Sequence, residues 1–136
     1  DDIVAARRAN YKTLYDGLKD CPGIILPVAE ENSNPSWFGF LIAVKEDAGF
    51  TRNELTGYLE DNKIQTRNLF AGNLIKHPAF DEMRKSGEGY RQVGDLKNTD
   101  FVMTNTFWIG VYPGMTQEMN QWMIESINKF CNEHAK

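Results

Sequence analysis

Apolar residues recur at helical spacing near both ends of the chain. At the beginning they predict an amphipathic helix over residues 2–18. Near the end, Thr116 is predicted as the N-cap of a helix, and its buried stripe is predicted to be Met119, Trp122, Met123, Ile127 and Phe130. Thr51 and Glu54 have the spacing of a capping box, which predicts a third helix between these two.

Two apolar runs predict the centre of a β-sheet. Residues 37–44 and 107–112 are rich in aromatic and aliphatic side chains, which is typical of strands with both faces covered. Residues 24–28 form a shorter run that Pro27 interrupts, so they are predicted to be an edge strand or an extended connector.

The middle of the chain is more polar. Residues 64–70 alternate as a half-buried strand would, and regular structure is predicted to stop at residues 71–73. Residues 76–95 carry many charges and three glycines, which predicts a long loop with one helical turn at most. Residues 98–100 are predicted to cap a short helix that runs through Thr104. The order of helices and strands predicts an α+β domain with two layers.

Length and composition limit the class of protein. The chain has 136 residues, 41% of them hydrophobic and 25% charged, which predicts one folded domain over residues 1–136. A net charge of -4 disfavours binding to nucleic acid or to anionic membranes. No apolar run approaches the ~20 residues of a membrane span. The start at Asp1, without an initiator methionine, suggests a processed end or a domain of a longer protein.

The residues that commonly carry chemistry form no complete set. Cys21 and Cys131 lie far apart in sequence and match no metal or redox spacing, so we expect two free thiols in a reducing cytoplasm. Adding His77 and His134 does not give a zinc pattern. The chain also lacks the glycine-rich phosphate motifs, the serine nucleophile elbow and the zinc-protease helix.

Two clusters are the best candidates for a binding site. In residues 66–73 the predicted strand carries Arg67, whose planar guanidinium can bind carboxylate or phosphate oxygens. The strand is predicted to end at Gly72 and Asn73. The alternative is an ordinary surface arginine beside a turn. In residues 107–114 an aromatic strand includes Gly110, which would let a ligand or another backbone approach. The alternative here is simple core packing.

At these clusters the sequence resembles a known family. It looks like the C-terminal portion of the CDP-4-keto-6-deoxy-D-glucose-3-dehydrases of lipopolysaccharide biosynthesis, which belong to the DegT/DnrJ/EryC1/StrS sugar aminotransferase superfamily. The matching segments hold their order and spacing, and they are residues 37–40, 66–74, 98–100 and 107–114. The resemblance implies the pyridoxal-phosphate-dependent aspartate aminotransferase fold (fold type I). This chain would be its small C-terminal α+β domain, with a largely antiparallel sheet covered by helices.

The resemblance also implies the chemistry of the larger enzyme. Its cofactor is pyridoxal 5'-phosphate (PLP) or pyridoxamine 5'-phosphate (PMP), and the reaction removes the C3 hydroxyl of a 4-keto sugar nucleotide. The catalytic histidine, the phosphate-binding residues and the iron-sulfur cysteines of some members all lie upstream. No catalytic, cofactor-binding or metal-binding residue is therefore assigned here, and the isolated chain is predicted to be inactive. The substrate-binding residues that match the family motif are Arg67, Phe70, Gly72 and Asn73.

The implied partners follow from that reading. The substrate is a nucleotide sugar, which the resemblance implies is CDP-linked. The protein partners are the enzyme's own N-terminal large domain, a second copy in a homodimer and a reductase. The resemblance implies that the enzyme is cytoplasmic. An apolar surface against the large domain is expected on residues 11–18 and around Phe70. Two alternatives stay open: a sugar aminotransferase domain of the same superfamily, or a binding domain without catalysis.

Overall fold

A computed structural model describes residues 1–136. The chain forms five α-helices and four β-strands. In chain order the elements are α1 (Asp2–Leu18), β1 (Ile24–Ile25), β2 (Gly39–Val44), α2 (Arg52–Asp61), β3 (Thr66–Asn68), two single-turn 3-10 helices (Leu74–Lys76 and Pro78–Phe80), α3 (Asp81–Ser86), α4 (Lys97–Asn105), β4 (Thr106–Gly110) and α5 (Gln117–His134). None of the helices is both long and apolar enough to cross a bilayer.

The strands form one antiparallel sheet in the order β1-β2-β4-β3. The two apolar runs are its central strands and the run interrupted by Pro27 supplies an edge, as predicted. Leu41 of β2, Trp108 of β4 and Arg67 of β3 are neighbours across the sheet. Because side chains alternate along a strand, these three residues share one face, which we call the outer face.

The other face of the sheet, the inner face, carries the core. Phe40 and Ile42 of β2 and Phe107 and Ile109 of β4 are fully buried. They join one apolar cluster with residues of α1, α2 and α5, which are Tyr11, Leu14, Leu18, Leu55, Leu59, Ile127, Phe130 and Cys131. Helices therefore form one layer and the sheet forms the other, and the predicted α+β architecture is confirmed.

The capping box at the start of α2 is present. The Thr51 hydroxyl accepts from the Glu54 backbone N–H at 3.2 Å, and the Glu54 carboxylate accepts from the Thr51 backbone N–H at 2.7 Å. Thr116 caps α5 in the same way, accepting from the Met119 backbone N–H at 3.2 Å. Both starts were predicted at the correct residue because a capping pattern depends only on neighbours in sequence.

The predicted buried face of α5 is wrong in part. Met119 and Trp122 are 43% and 49% exposed, whereas Asn120 and Cys131 are buried. The helix is rotated because α1 lies against it: Asn120 Nδ2 donates to Asn10 Oδ1 at 3.2 Å, a contact between distant parts of the chain. Trp122 lies at the rim, where its ring N–H donates to the Asn62 carbonyl at 3.1 Å.

Two further predictions need correction. Helix α4 begins at Lys97 and has no side-chain cap at its N-terminus, so residues 98–100 lie in its first turn rather than capping it. Residues 76–95 hold more helix than predicted, namely the second 3-10 turn and the short helix α3.

The expected docking surface on α1 is also wrong. Tyr11, Leu14 and Leu18 are at most 7% exposed, because they pack into the chain's own core. Phe70 is exposed, and a docking surface around it stays a prediction.

Candidate functional site

The predicted substrate residues lie where β3 ends and the chain turns toward α4. We call Arg67, Phe70, Gly72 and Asn73 the strand-end cluster. Phe70 and Gly72 have backbone φ angles of 42° and 63°, in the left-handed region. Glycine adopts that conformation freely, but a phenylalanine there is uncommon. The turn therefore holds Phe70 in a conformation that an ordinary loop avoids.

Asn73 fixes the inner side of this turn. Its side chain is 3% exposed. Asn73 Nδ2 donates to Asp100 Oδ1 at 2.8 Å, and Asn73 Oδ1 accepts from the Ile75 backbone N–H at 3.1 Å. These bonds join the turn to α4 and start the 3-10 helix that follows. Of the predicted residues, Asn73 is the one directed into the protein.

Asp100 is held ionised by its neighbours. Lys76 Nζ lies 2.8 Å from its Oδ2 atom. The hydrogen bond from Lys76, followed by the one from Asn73, lowers the pKa of Asp100. Lys76 is thereby already paired within the chain.

Because Gly72 has no side chain, Met103 of α4 packs against its backbone. A Cβ atom at Gly72 would lie 2.5 Å from Met103 Cγ, which is closer than real side chains approach. Met103 Sδ also lies 3.3 Å from the Asn73 backbone nitrogen. Gly72 is thus required both by its φ angle and by the thioether packed against it.

Arg67 projects from the outer face as an exposed side chain. Its guanidinium makes no hydrogen bond or ion pair within the chain. The nearby Glu60 carboxylate is held by Thr66, whose backbone N–H and hydroxyl donate to it at 2.5 and 2.8 Å. These two bonds lower the pKa of Glu60, with Arg67 adding a smaller attraction. The Arg67 fork is therefore free to meet an external anion or hydroxyl group.

Phe70 forms a wall between two shallow clefts. Its side chain is 86% exposed. The larger cleft, of about 490 Å³, lies between the turn and α4, and its lining includes Gly72, Asn98, Thr99 and Val102. Arg67 lines neither this cleft nor the smaller one. The cluster thus divides into two exposed residues, Arg67 and Phe70, and two that shape the turn, Gly72 and Asn73.

The smaller cleft, of about 120 Å³, opens on the outer face of the sheet. Phe38 and Trp108 pack against each other there with ring centroids 5.2 Å apart, and Phe38 is 66% exposed. A Cβ at Gly39 would lie 2.7 Å from Trp108 Cε3, so the glycine lets the indole lie over β2. The aromatic strand containing Trp108 therefore packs in the core on one face and is open on the other. The close approach predicted at Gly110 is not seen within the chain, since a Cβ there would meet only Tyr112 Cδ1, at 3.9 Å.

The sequence analysis did not identify Arg52, whose side chain links three elements beside the strand-end cluster. Its Nη1 atom donates to Asn68 Oδ1 at 2.9 Å and to the Thr106 carbonyl at 3.2 Å. Burial lowers the pKa of this guanidinium. Arg52 joins the start of α2 to the end of β3 and the start of β4, and its only sequence signal is its place after the Thr51 cap.

Neither cleft beside Phe70 fits a pyridoxal cofactor. Their lining residues include no lysine, arginine or histidine that could hold its phosphate or its aldehyde carbon. His77 is engaged elsewhere, with Nε2 2.9 Å from the Ala71 carbonyl oxygen. What the site offers chemically is recognition by a free guanidinium, an exposed aromatic ring and an apolar cleft.

The family of the chain is established by comparison with known proteins. A profile of the DegT/DnrJ/EryC1/StrS aminotransferase family matches residues 1–128. The chain belongs to this family, which confirms the resemblance seen in the sequence.

Two similar proteins have named roles. A dTDP-4-dehydro-2,6-dideoxy-D-glucose 3-dehydratase of Saccharopolyspora spinosa is 49% identical over 93% of this chain, and that match covers 26% of the relative. The lipopolysaccharide biosynthesis protein RfbH of Salmonella typhimurium is 46% identical over 96% of this chain and 29% of its own length. The chain therefore spans less than a third of these relatives.

Solved structures confirm the fold. A GDP-4-keto-6-deoxymannose-3-dehydratase with bound GDP-perosamine superposes with a TM-score of 0.79 at 24% identity, covering 93% of this chain and 31% of that one. An Escherichia coli GDP-4-keto-6-deoxy-D-mannose-3-dehydratase with bound hydrated PLP gives a TM-score of 0.77 at 23% identity, covering 93% and 31%. At these identities the likeness supports the fold alone.

Proposed function

We propose that this chain is the C-terminal domain of a nucleotide-sugar 3-dehydrase that acts in deoxysugar and O-antigen lipopolysaccharide biosynthesis. Its substrate is a nucleotide-linked 4-keto-6-deoxyglucose, with CDP as the nucleotide. Residues 1–136 form one domain of that cytoplasmic enzyme. Support comes from two relatives named for 3-dehydration or lipopolysaccharide synthesis at 49% and 46% identity.

The observation that carries the proposal is that Arg67 and Phe70, three residues apart at the end of β3, both have exposed side chains. The backbone of Phe70 has a left-handed φ of 42° in a turn that the buried Asn73 joins to α4, so the turn fixes where the exposed ring projects. We assign Arg67 to anionic or hydroxyl groups of the nucleotide sugar and Phe70 to its apolar surface. Gly72 and Asn73 shape the turn that presents them.

The cofactor, PLP or PMP, belongs in this proposal to an N-terminal large domain. That domain packs on the outer face of the sheet, where Phe38, Trp108 and Phe70 offer an apolar surface. A homodimer and a reductase complete the assembly. Because neither cleft beside Phe70 fits the cofactor, the 136-residue chain alone is expected to be inactive and to give no saturable spectral change with PLP.

The test uses the polypeptide in which this chain is joined to its large domain. It is supplied with PMP and CDP-4-keto-6-deoxyglucose, and loss of the C3 hydroxyl is followed by mass spectrometry. The dTDP- and GDP-linked sugars are compared in parallel, and CDP is expected to give the highest turnover. Formation of an amino sugar from glutamate, with no loss of the hydroxyl, would instead establish the aminotransferase alternative.

A further inference from the structure

The face of α1 that packs into the core continues beyond the core, toward the start of the helix. Tyr11 and Leu14 are buried on this face. Residues three and four positions apart share a face of a helix, so the same face carries Arg7 and, one turn earlier, Ile3 and Val4. Ile3 is 63% exposed, and neither Ile3 nor Val4 packs against the core cluster. The first two turns of α1 therefore leave an apolar surface uncovered.

The guanidinium of Arg7 lies on this uncovered face without a partner. Its Nε atom is shielded from solvent and makes no hydrogen bond. The two terminal nitrogens are not enclosed in this way, and Arg7 belongs to none of the ion pairs of the chain. Packing around Nε therefore holds the guanidinium against the chain, while its terminal N–H groups stay available to a group outside it.

The next residue shows how an arginine of this helix is satisfied inside the domain. Arg8 Nε donates to the Pro35 carbonyl at 3.1 Å, and Arg8 Nη2 donates to the Asn34 carbonyl at 2.6 Å. Arg7 lies roughly 100° away around the helix, on the side where the domain offers it no acceptor. A donor that is shielded from water without a hydrogen bond destabilises the folded state, so the acceptor for Arg7 is expected outside the domain.

The proposed enzyme supplies a body that can cover this face. The match to this chain covers only 26% of the dehydratase relative and 29% of RfbH, so most of each relative lies outside it. Under the proposed function that remainder includes the large domain, which is covalently joined to residues 1–136 and is therefore present at high local concentration. A carboxylate is the acceptor that matches a guanidinium both in charge and in its two parallel oxygens.

We propose that the first two turns of α1 dock on the large domain of the same polypeptide. Ile3 and Val4 pack against apolar residues of that domain, and the Arg7 guanidinium pairs with one of its carboxylates. This contact is additional to the one on the outer face of the sheet, and it lies nearer the start of α1 than the predicted residues 11–18. The inference rests on the proposed function for the presence of the large domain.

The test uses Arg7→Lys in the polypeptide that contains the large domain. A carbodiimide joins an amine directly to a carboxylate in contact with it, so peptide mapping identifies the partner of position 7. The expected result is a link from the introduced amine to an aspartate or glutamate of the large domain. Lys12 is the internal positive control, because its Nζ atom pairs with Asp16 within α1. A mixture of light and heavy isotope-labelled protein shows whether a link joins two copies.

Arg7→Met tests how much the contact contributes, since methionine keeps an unbranched side chain and loses every donor. The rate of limited proteolysis between the two domains should rise roughly ten-fold, because one charge-assisted pair is lost. Lys19→Met is the matched control. Lys19 follows α1, is exposed and belongs to no ion pair, so its replacement should leave the rate unchanged.

Three mapping results would overturn the proposal: no link at position 7 when Lys12 has reacted, a link only to a second copy, or a link only to a carboxylate within residues 1–136. An unchanged proteolysis rate in Arg7→Met would also overturn it. Turnover separates this inference from the proposed function. Loss of the C3 hydroxyl by a polypeptide that gives no link would remove the docking contact alone. A link in a polypeptide that forms an amino sugar would remove the 3-dehydrase assignment alone.

Discussion

The two faces of the sheet differ sharply in what covers them. On the inner face, Phe40 and Ile42 of β2 have no exposed surface, because α1, α2 and α5 pack over them. On the outer face the same part of the chain presents Phe38, which is 66% exposed, and β3, on the far side of β4, presents Arg67. The comparison shows that one face forms the core of the domain, while the other carries largely exposed side chains with few contacts within it.

The largest expected effect is a difference in the stability lost when Phe40 and Phe38 are each replaced by alanine. Phe40→Ala leaves a cavity in the core and should lower the free energy of unfolding by about 3 to 5 kcal/mol. Phe38→Ala removes an exposed ring that contacts Trp108, and should cost about 1 kcal/mol. Urea denaturation of both variants measures the difference. Equal losses would mean that the two faces do not differ in their contribution to stability.

Asn73→Ala should have the next largest effect. It removes the hydrogen bonds to Asp100 and to the Ile75 backbone, and it leaves the part-buried Ile75 N–H without this partner. The free energy of unfolding should fall by about 2 kcal/mol. Asn98→Ala, a polar residue in the first turn of the adjacent helix α4, serves as the exposed control and should change stability by less than about 0.5 kcal/mol.

Asn73→Ala should also change how the stability of the domain depends on pH, through the pKa of Asp100. The folded-state pKa of Asp100 is below its ordinary value, so its contribution to stability is present above the unfolded pKa and is lost as the pH falls through the folded one. Asn73→Ala should move the Asp100 pKa upward, toward its usual value, with Lys76 retaining the larger part of the shift. Carboxyl titration by NMR measures this, and an unchanged pKa would remove Asn73 from the ion-pair network.

A smaller effect tests the turn itself. Gly72→Ala is strained by its φ angle and by contact with Met103, and should destabilise the domain by about 1 to 2 kcal/mol. Gly87→Ala is the matched control, since Gly87 has a φ of 72° but faces open space. Thermal melts should rank Gly72→Ala below Gly87→Ala. If both variants melt together, backbone strain alone accounts for the glycine and Met103 is not a constraint.

The features predicted correctly were those that depend on local sequence. The Thr51 and Thr116 caps join groups within three residues, and the central strands are continuous apolar runs. The rotation of α5 was missed because it depends on contacts such as Asn120 with Asn10. The burial of Cys21 and Cys131 in one core was missed for the same reason, since no local pattern records which distant segments pack together.

The strand-end cluster shows the same division. A break was predicted at residues 71–73 after a strand over residues 64–70, whereas β3 is shorter and ends at Asn68. The roles of Gly72 and Asn73 in the turn depend on Met103 and Asp100 of α4. Arg52 is the clearest omission. It donates to Asn68 Oδ1 and to the Met103 and Thr106 carbonyls, all far away in sequence, and an arginine after a helix cap has no pattern that predicts such contacts.

The central claim, that the outer face carries recognition rather than stability, is tested most directly by Arg67→Lys in the polypeptide joined to its large domain. Lysine keeps the charge and loses the planar fork, so turnover of the nucleotide sugar should fall by roughly ten- to a hundred-fold. The free energy of unfolding should change by less than about 0.5 kcal/mol, because Arg67 has no partner within the chain. Arg52→Lys is the matched control and should lower stability by about 1 to 2 kcal/mol through its lost hydrogen bonds. Normal turnover in a fully folded Arg67→Lys variant, measured with a melt on the same preparation, would contradict the account.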